Sequence, residues 1–498
     1  MDQFTHALTM LVTTPVVPAA IGGLIWGMLG GAMPGLSASI TMALLLPFTY
    51  TLAPMPAIVM LATCYIGAEY GGSIPAILIR TPGTNAAAAT VLDGYEMNRQ
   101  GRAGEALGIS LWSGVVGGLF GLTMLILLTE PLSRLALLFK PTTYFGLGIL
   151  GLSVIASLSS KSLLKGLAAA ILGLMIATIG TDPISGVSRF TFGVPDLLDG
   201  IAPLFIMVGL YAVTELMTRT GVASNIIKPN ASIRVRLPRF PMMKRIARSQ
   251  AIGCTVGTFE GLMPGAGGTI ASFIAYNEAK RWSKHPEKFG HGSEEGVAGP
   301  EAANNTVASA SLIPLLSFGI PASNSGAVLL GGLLIHGLLP GPRLFEQNAD
   351  VITGLYAGSF IADIAQVVIG ILVLPLCIWL VNRPKPYRSA FIFALVMSGV
   401  FTVHMSLFDV GIVLSSGLLG YFMKYFSLPF LPAVLGVVLG VHLIESNYRR
   451  SLVLSGGDFH IFLEDPIAIA FFVLAAIIMI GSLVNEWRAA QAQRASLA

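Results

Sequence analysis

The chain has 498 residues, of which 54% are hydrophobic and only 11% are charged, and its formal net charge is +4. A soluble domain carries about 25% charged residues, so this composition excludes an ordinary water-soluble fold and predicts a membrane protein. Cys64, Cys254 and Cys377 stand apart in or beside apolar runs, without metal-ligand spacing. This pattern excludes a disulfide framework and a structural zinc site and favours packing roles for the three thiols.

Apolar runs of about 20 residues recur along the chain, and each is long enough to cross a hydrocarbon core of about 30 Å. We predict an all-α polytopic membrane protein with about 10–14 transmembrane helices and re-entrant hairpins. The first run, Val16 to Met33, follows a segment without Lys or Arg, which does not resemble a cleaved signal peptide. Runs 38–52 and 325–339 are predicted as limbs of re-entrant hairpins, which must be buried in protein.

Two Pro/Gly breaks interrupt the apolar sequence of the first half. The first reads GAMPGLSAS from Gly31 to Ser39, and the second reads IPAILIRTPGTN from Ile74 to Asn85. Proline ends a helix and glycine lets the chain reverse, so each break exposes backbone N–H groups at the start of the next helical segment. Such a helix N-terminus favours an anion. The glycines before the first break are predicted to serve helix packing: Gly22, Gly23, Gly27, Gly30 and Gly31.

A basic segment separates the two halves. From Arg219 to Arg248 there are eight basic residues and no acidic residue. Short loops rich in Lys and Arg stay cytoplasmic, so we place this segment inside; its lack of interleaved aromatic residues disfavours a nucleic-acid patch. The predicted domains are a first membrane half, 1–218, a basic cytoplasmic linker, 219–248, and a second membrane half, 249–498.

The second half repeats both breaks. GLMPGAGGT, which begins at Gly261, matches the first break 230 positions later (261 minus 31). IPLLSFGIPASN, which begins at Ile313, matches the second break 239 positions later (313 minus 74). A duplicated break inside an apolar chain indicates a transporter built from two repeats with the binding site between them. The spans between equivalent points leave the repeat orientation open, and analogy favours inversion.

The four breaks supply the residues that we predict to hold a substrate. Backbone amides can approach an anion closely where side chains are small, and the Thr-Asn and Ser-Asn pairs add groups that can donate to a carboxylate. Helix kinks are the alternative for a single Pro-Gly pair, but the matched spacing of two copies disfavours that interpretation. The predicted substrate residues are Pro34, Gly35, Leu36, Ser37, Gly83, Thr84, Asn85, Pro264, Gly265, Ala266, Gly267, Ala322, Ser323 and Asn324.

Acidic residues beside the breaks are candidates for binding a coupling cation. Glu69 and Glu260 can bind sodium or a proton, or can pair with a structural partner such as Arg80. Unwound carbonyls near the breaks add oxygen ligands. Asp363, in the apolar run FIADIAQ, also needs a partner or water. The predicted coupling-ion residues are Glu69, Thr81, Glu260 and Gly319.

A polar motif, GPEAANN, precedes the last break. Glu301, Asn304 and Asn305 share one face if the segment is helical. They can form a polar lining or an inter-helix latch, and we favour a structural or gating role.

Long phrases in both halves carry a family resemblance. They include PGLSASITMALLLPFTY, YGGSIPAILIRTPGTNAAAATVLDGYEMNRQGRAGEALG, EGLMPGAGG, EGVAGPEAANN and LIPLLSFGIPASNSGAVLLGGLLIHGLLPGP, and the resemblance covers nearly the whole chain. The sequence resembles the large membrane subunit of the tripartite tricarboxylate transporters. That resemblance implies a multi-pass permease of the bacterial inner membrane, a small membrane subunit, and a periplasmic solute-binding protein that captures a carboxylate. It also implies an ion gradient as driving force and, by analogy, an elevator-like scaffold and transport domain.

The function predicted from these features is uptake of a di- or tricarboxylate coupled to Na⁺ or H⁺, by alternating access, with no other cofactor. The first PGTN motif has Asn85 where relatives often have proline, so "carboxylate" is a firmer expectation than "tricarboxylate". An anion channel and a stand-alone carboxylate permease without a binding protein are the alternatives. The absence of GxxxxGK[ST], HExxH and GxSxG disfavours an ATP-driven pump or an enzyme.

The remaining expectations concern partners. We expect the chain to contact a lipid bilayer and no nucleic acid. The sequence leaves open whether the chain forms a homo-oligomer. Loops near Asp182–Asp199 and Pro340–Asp350 are predicted docking surfaces for the binding protein.

Overall fold

The protein is 80% helical, and the computed structural model describes residues 15–158, 162–182, 185–218, 233–263, 267–382 and 385–497. The described helices are α1 (Val16–Ala32), α2 (Ala38–Thr49), α3 (Pro54–Ile79), α4 (Thr90–Arg99), α5 (Ala103–Ala136), α6 (Pro141–Leu158), α7 (Leu163–Ala177), α8 (Pro203–Val208), α9 (Thr214–Thr218), α10 (Phe240–Leu262), α11 (Gly267–Trp282), α12 (Glu294–Ala310), α13 (Leu312–Phe318), α14 (Asn324–Ile335), α15 (Pro342–Gln347), α16 (Ala349–Val381), α17 (Lys385–His404), α18 (Leu407–Tyr425), α19 (Phe430–Leu439), α20 (Ser446–Leu454), α21 (Ile461–Glu464) and α22 (Pro466–Leu497). Shorter elements are the 3₁₀ turns Ala86–Ala88, Pro195–Leu197 and Pro286–Lys288, the π-helical turns Gly209–Val213 and Gly440–Glu445, and the strands β1 (Gly180–Thr181) and β2 (Ser188–Arg189), which pair antiparallel.

Several of these helices are long and apolar enough to cross a membrane. Within the described residues there are six such helices, or seven if the bent pair Phe430–Leu439 and Leu443–Leu454 forms one span. Six further apolar helices are shorter, at 10–17 residues. The predicted fold class, an all-α polytopic membrane protein, is therefore confirmed. The count of 10–14 spans stays a prediction, because it depends on how the shorter helices lie in the bilayer. The six long helices are Pro54–Ile79, Ala103–Ala136, Pro141–Leu158, Ala349–Val381, Leu407–Tyr425 and Pro466–Arg488.

The chain forms two compact units, and each unit takes one segment from either side of the basic linker. Unit 1 consists of Met1–Ser133 and Arg219–Met405, and unit 2 consists of Arg134–Thr218 and Ser406–Ala498. All four breaks belong to unit 1. The candidate site can therefore be described within unit 1 alone.

Glycines bring α1 against α3 in unit 1. A Cβ atom on Gly27 would lie 2.1 Å from the Cys64 carbonyl oxygen, and one on Gly31 would lie 2.1 Å from the Ala68 carbonyl oxygen. Gly23 makes the same approach to Met60 one turn earlier. Side chains are excluded at these positions because the two backbones touch, which confirms the predicted packing role of this glycine stripe.

The same arrangement recurs between α10 and α12. A Cβ atom on Gly253 would lie 2.3 Å from the Gly299 carbonyl oxygen, and one on Gly257 would lie 2.5 Å from the Ala303 carbonyl oxygen. Gly23 and Gly27 precede these two glycines by 230 positions (253 minus 23, 257 minus 27), the spacing of the Met-Pro-Gly motifs. Each Met-Pro-Gly break therefore ends a helix that is packed through glycine.

The linker is described only in its second part. Arg219 and Lys228 lie outside the described residues. Residues 233–239 run beside the start of α5, where the Arg236 N–H donates to the Gly104 carbonyl oxygen at 2.8 Å. Residues 240–248 already belong to α10.

Unit 2 carries a set of ion pairs around its β-hairpin. Arg189 of β2 contacts Glu445 at 2.6 Å, and Arg449 contacts Asp182 at 2.6 Å. Beyond the hairpin, the side chain of Phe192 is 85% exposed. The predicted docking loop 182–199 is thus anchored at its base and exposes an aromatic side chain.

Candidate functional site

The first break separates α1 from α2. Gly35 has φ 85°, a left-handed conformation that lets the chain reverse, and Leu36 beside it is buried. Ser37 is the N-cap of α2, and its hydroxyl accepts from the Ile40 N–H at 3.3 Å. The start of a helix lies at the break, as the sequence predicts, and one of its free N–H groups is already capped.

The third break, between α10 and α11, is described at its edges. Met263 ends α10 in an extended conformation, and α11 begins at Gly267, which has φ 66°. Pro264, Gly265 and Ala266 lie outside the described residues.

The second and fourth breaks have the same backbone geometry. Arg80 (φ 59°) and Gly319 (φ 77°) both end a helix in the left-handed conformation. In the second break, the Thr81 N–H donates to the Pro75 carbonyl oxygen at 3.4 Å. In the fourth, the Ile320 N–H donates to the Pro314 carbonyl oxygen at 3.3 Å. Left-handed residues with such a bond back into the helix end helices firmly.

The polar pairs of these two breaks also match in exposure. The hydroxyl residues Thr84 and Ser323 are buried, at 2% and 8% exposure, whereas Asn85 and Asn324 are exposed. Ser323 caps α14 by accepting from the Gly326 N–H at 3.0 Å. Thr84 Oγ1 has no hydrogen-bond partner within the described part of the chain.

Helical segments that follow the breaks pack across the two halves. α2, which follows the first break, packs against α14, which follows the fourth. The turn Ala86–Ala88, which follows the second break, packs against α11, which follows the third. Each half therefore supplies one partner to each contact.

Gly83 joins the first two breaks directly. Its N–H donates to the Gly72 carbonyl oxygen at 2.9 Å, and a Cβ atom on Gly83 would lie 1.9 Å from the Gly31 carbonyl oxygen. Only glycine fits there, because two backbones meet at this residue.

Glu69 connects the second break to the second half. Its Oε2 accepts from Asn304 Nδ2 at 3.0 Å, and the Thr84 hydroxyl lies beside the same carboxylate without an aligned hydrogen bond. A Cβ atom on Gly268 of α11 would lie 2.6 Å from Asn304 Oδ1. Arg80, the alternative partner, instead lies 5.8 Å from the Tyr95 ring centroid. The pairing of Glu69 with Arg80 is not formed.

Tyr65 brings the fourth break to the same helix. Its hydroxyl lies 3.4 Å from Ser323 Oγ, and Tyr65 shares one face of α3 with Glu69 one turn later. Contacts from all four breaks thus converge on α1, α3 and Asn304. The sequence interpretation omitted Tyr65; its spacing of four residues from Glu69 is the signal that could have found it.

The other coupling-ion candidates stand apart from these contacts. Glu260 of α10 is half-buried, and its Oε2 has no hydrogen-bond partner among the described residues. Thr81 donates its hydroxyl to the Ile79 carbonyl oxygen at 3.3 Å. No described contact joins Glu260, Thr81 or Gly319 to Glu69.

Glu301 forms a separate buried cluster. Its carboxylate accepts from Ser73 of α3 at 2.6 Å, from Ser110 of α5 at 2.9 Å, and from Thr90 at the start of α4. Four helices meet at this single side chain. Because neutral hydroxyls hold the carboxylate, the geometry favours the inter-helix latch over a polar lining.

Comparison with known proteins identifies the family. A profile described as "Tripartite tricarboxylate transporter TctA family" matches residues 18–435. The chain belongs to this family. The resemblance read from the sequence is therefore confirmed, and the TctA-family protein is a membrane component of a transporter rather than a member of an enzyme class.

Two curated relatives come from Agrobacterium vitis. The first, "Uncharacterized 52.8 kDa protein in TAR-I ttuC' 3'region", is 36% identical over 94% of this chain and 93% of its own length. The second, "Uncharacterized protein in TAR-II ttuC' 3'region", is 37% identical over 48% of this chain and 98% of its own length. No solved structure matches the TctA-family chain.

Proposed function

We propose that this TctA-family protein takes up a di- or tricarboxylate by secondary active transport coupled to Na⁺ or H⁺. The substrate is held between the breaks of the two halves and is delivered by a periplasmic solute-binding protein, and a small second membrane subunit completes the complex in the bacterial inner membrane. The observation that supports this proposal is that Ser323 of the fourth break and Thr84 of the second break both lie beside the Tyr65–Glu69 face of α3.

The proposed substrate contacts are neutral. The N-termini of α2 and α14 lie at breaks and favour an anionic group, although Ser37 and Ser323 already cap one N–H each. Thr84, Asn85 and Asn324 add a hydroxyl and two carboxamides that can donate to carboxylate oxygens. Neutral donors let a carrier bind and release an anion without leaving a buried cation behind. The other proposed contacts are Pro34, Gly35, Leu36, Gly83, Pro264, Gly265, Ala266, Gly267 and Ala322.

The coupling cation is proposed to bind at Glu69. This carboxylate is buried, and its described partner, Asn304, is a neutral amide. An anionic substrate beside a second negative charge would be repelled, and a cation bound at Glu69 removes that repulsion. Thr81, Glu260 and Gly319 remain proposed ion ligands that would need a rearrangement to join Glu69.

The proposed mechanism is alternating access, with unit 1 as the transport domain and unit 2 as the scaffold. Unit 1 contains the four breaks, and its glycine-packed helix pairs α1–α3 and α10–α12 form rigid supports for them. The binding protein is proposed to dock on the loop 182–199, which exposes Phe190 and Phe192, or on the loop 340–350.

The deciding experiment is uptake into proteoliposomes. The protein, its small membrane subunit and its binding protein are reconstituted, and initial rates of citrate and succinate uptake are measured with an imposed sodium or proton gradient. We expect saturable uptake of at least one carboxylate that stops when the coupling gradient is dissipated. Omitting the binding protein is the control, and uptake should then fall to background.

Three outcomes would contradict parts of this proposal. Single-channel conductance without saturation would replace the carrier with an anion channel. Undiminished uptake without the binding protein would favour a stand-alone permease. Uptake that persists without either ion gradient would remove cation coupling.

A further inference from the structure

A second group of buried polar side chains lies in unit 1, on residues outside the four breaks. Asp363 and Gln366 occupy one face of α16, three residues apart, and both are 0% exposed. Neither oxygen of Asp363 has a hydrogen-bond partner within the described part of the chain, and neither polar atom of Gln366 has one. Buried polar groups are paired in native proteins with few exceptions, so these unused atoms need an explanation.

The helices around this group press closely on it. A Cβ atom on Gly118 of α5 would lie 2.2 Å from Asp363 Oδ1. A Cβ atom on Gly114 of α5 would lie 2.7 Å from Gln366 Nε2 and 3.2 Å from Asn305 Nδ2 of α12. Asn305 Oδ1 is also buried without a partner among the described residues. Three helices thus enclose three polar side chains with unused hydrogen-bonding atoms.

An ionised carboxylate is costly in such a place. A buried charge without a partner is strongly destabilising, and a bound cation removes that cost. The contact with Gly118 leaves no space on that side for a hydrated ion. A proton needs no such space, and on Asp363 it creates an O–H donor. Gln366 Oε1 and Asn305 Oδ1 are the unused acceptors for that donor.

The charged and titratable groups around Asp363 do not supply a counter-charge. On α12, the Glu301 carboxylate accepts from three hydroxyls, and on α3 the Tyr70 hydroxyl is neutral and is also unpartnered in the described structure. The described helix α1 contains no titratable side chain. On α5, Glu105 and Glu130 lie more than ten residues from Gly118, which is about 18–20 Å along a helix.

We propose that Asp363 is a proton-binding site, separate from Glu69 and the breaks, with Gln366 and Asn305 as partners for its proton. The carboxylate takes one proton from water and returns it to water during the transport cycle. The use of this proton in coupling rests on the proposed function, whereas proton binding itself does not.

Infrared spectroscopy of the purified protein in lipid, without any carboxylate substrate, tests proton binding. The spectrum of the wild type should contain carbonyl absorption of protonated carboxyls, shifted in D₂O, and the Asp363→Asn variant should lose the part of that absorption contributed by Asp363. Asp350→Asn is the matched control, because Asp350 is an exposed aspartate at the start of the same helix. An unchanged band in Asp363→Asn would overturn the proposal.

Thermal unfolding in sodium-free buffer gives an independent readout. Above about pH 4 an aspartate in an unfolded chain has released its proton, while the folded site keeps it. The folded-to-unfolded ratio contributed by this site should therefore fall about tenfold per pH unit as pH rises, until the folded site also releases its proton. Asp363→Asn should remove this part of the pH dependence. A sodium-dependent Tm that Asp363→Asn abolishes would instead assign the site to sodium.

Citrate uptake tests the role in coupling. In proteoliposomes that contain a pH-sensitive dye, citrate uptake should carry protons inward with the wild type and fewer protons per citrate with Asp363→Asn. An unchanged ratio would remove Asp363 from coupling. If the wild type takes up neither citrate nor succinate, the proposed function fails while the infrared result stands.

Discussion

In unit 1, a hydrogen bond between the Glu69 carboxylate and the Asn304 amide joins the first half of the sequence to the second half. Asn304 donates at 3.0 Å, and no described basic side chain pairs with Glu69. An acid held only by a neutral donor can change its bound cation without breaking an ion pair. When the cation leaves, the Glu69 carboxylate remains as a buried negative charge without a counter-charge.

Replacing Glu69 by Gln should uncouple substrate transport from the ion gradient. Glutamine keeps an acceptor for Asn304, so folding is preserved, but it cannot bind a cation by charge. We expect gradient-driven citrate uptake to fall at least about tenfold, the effect of losing roughly 1.4 kcal/mol. Initial rates against sodium concentration and pH measure this. Glu96→Gln, at a solvent-exposed ion pair with Arg99, is the control; equal ion dependence in Glu69→Gln and wild type would refute the assignment.

The exposed asparagines of the second and fourth breaks should contribute to substrate affinity. A hydrogen bond to a charged group contributes about 1.5–3 kcal/mol, so Asn85→Ala and Asn324→Ala should each raise the KM for the transported carboxylate by roughly tenfold to a hundredfold. Asn277→Ala, at an exposed asparagine near the end of α11, should leave the KM unchanged. Concentration-dependent uptake in proteoliposomes checks all three. If Asn85→Ala and Asn324→Ala behave like Asn277→Ala, the asparagines do not contact the substrate.

At the scale of elements, the two glycine-packed helix pairs position the Met-Pro-Gly breaks. Gly27→Ala and Gly257→Ala would push a methyl group into the Cys64 and Ala303 carbonyl oxygens, respectively. Overpacking of this kind costs about 1–3 kcal/mol, so both variants should show a lower Tm in detergent. Gly22→Ala is the control, because its methyl group would meet only the flexible end of Met60, at 3.2 Å. A Tm of Gly27→Ala equal to that of Gly22→Ala would show that α1 and α3 separate easily.

The sequence predicts the location of the breaks better than their contacts. Proline and glycine act locally, so the ends of α1 and α3 and the starts of α2 and α14 follow from the motifs. Glu69 and Asn304 are 235 positions apart in the sequence, and no rule based on neighbouring residues predicts their hydrogen bond. The sequence was sufficient to place Glu301 on a polar helix face. It did not identify the hydroxyl partners of Glu301 on α3, α4 and α5, because serine and threonine are common in apolar helices.

At the scale of the whole molecule, the compact units cross the division suggested by the repeated motifs. Unit 1 takes the first part of each half and unit 2 takes the second part. The basic linker marks a position along the sequence, whereas the units group helices that contact one another. The local pattern of a single sequence does not report that grouping, since most of the long helices in both units are apolar.

Alternating access predicts that the breaks of unit 1 face only one side of the membrane at a time. Asn85→Cys and Asn324→Cys place a thiol at two exposed positions, and the native thiols Cys64, Cys254 and Cys377 are buried, so background labelling should be low. In oriented vesicles, a membrane-impermeant maleimide should label each new thiol from one side, and saturating sodium with citrate should move the reactivity toward the other side. Asn277→Cys should label equally in both conditions. Labelling rates of Asn85→Cys from the two sides that sodium and citrate leave unchanged would contradict this prediction, because alternation must change the fraction of thiols that face each aqueous phase.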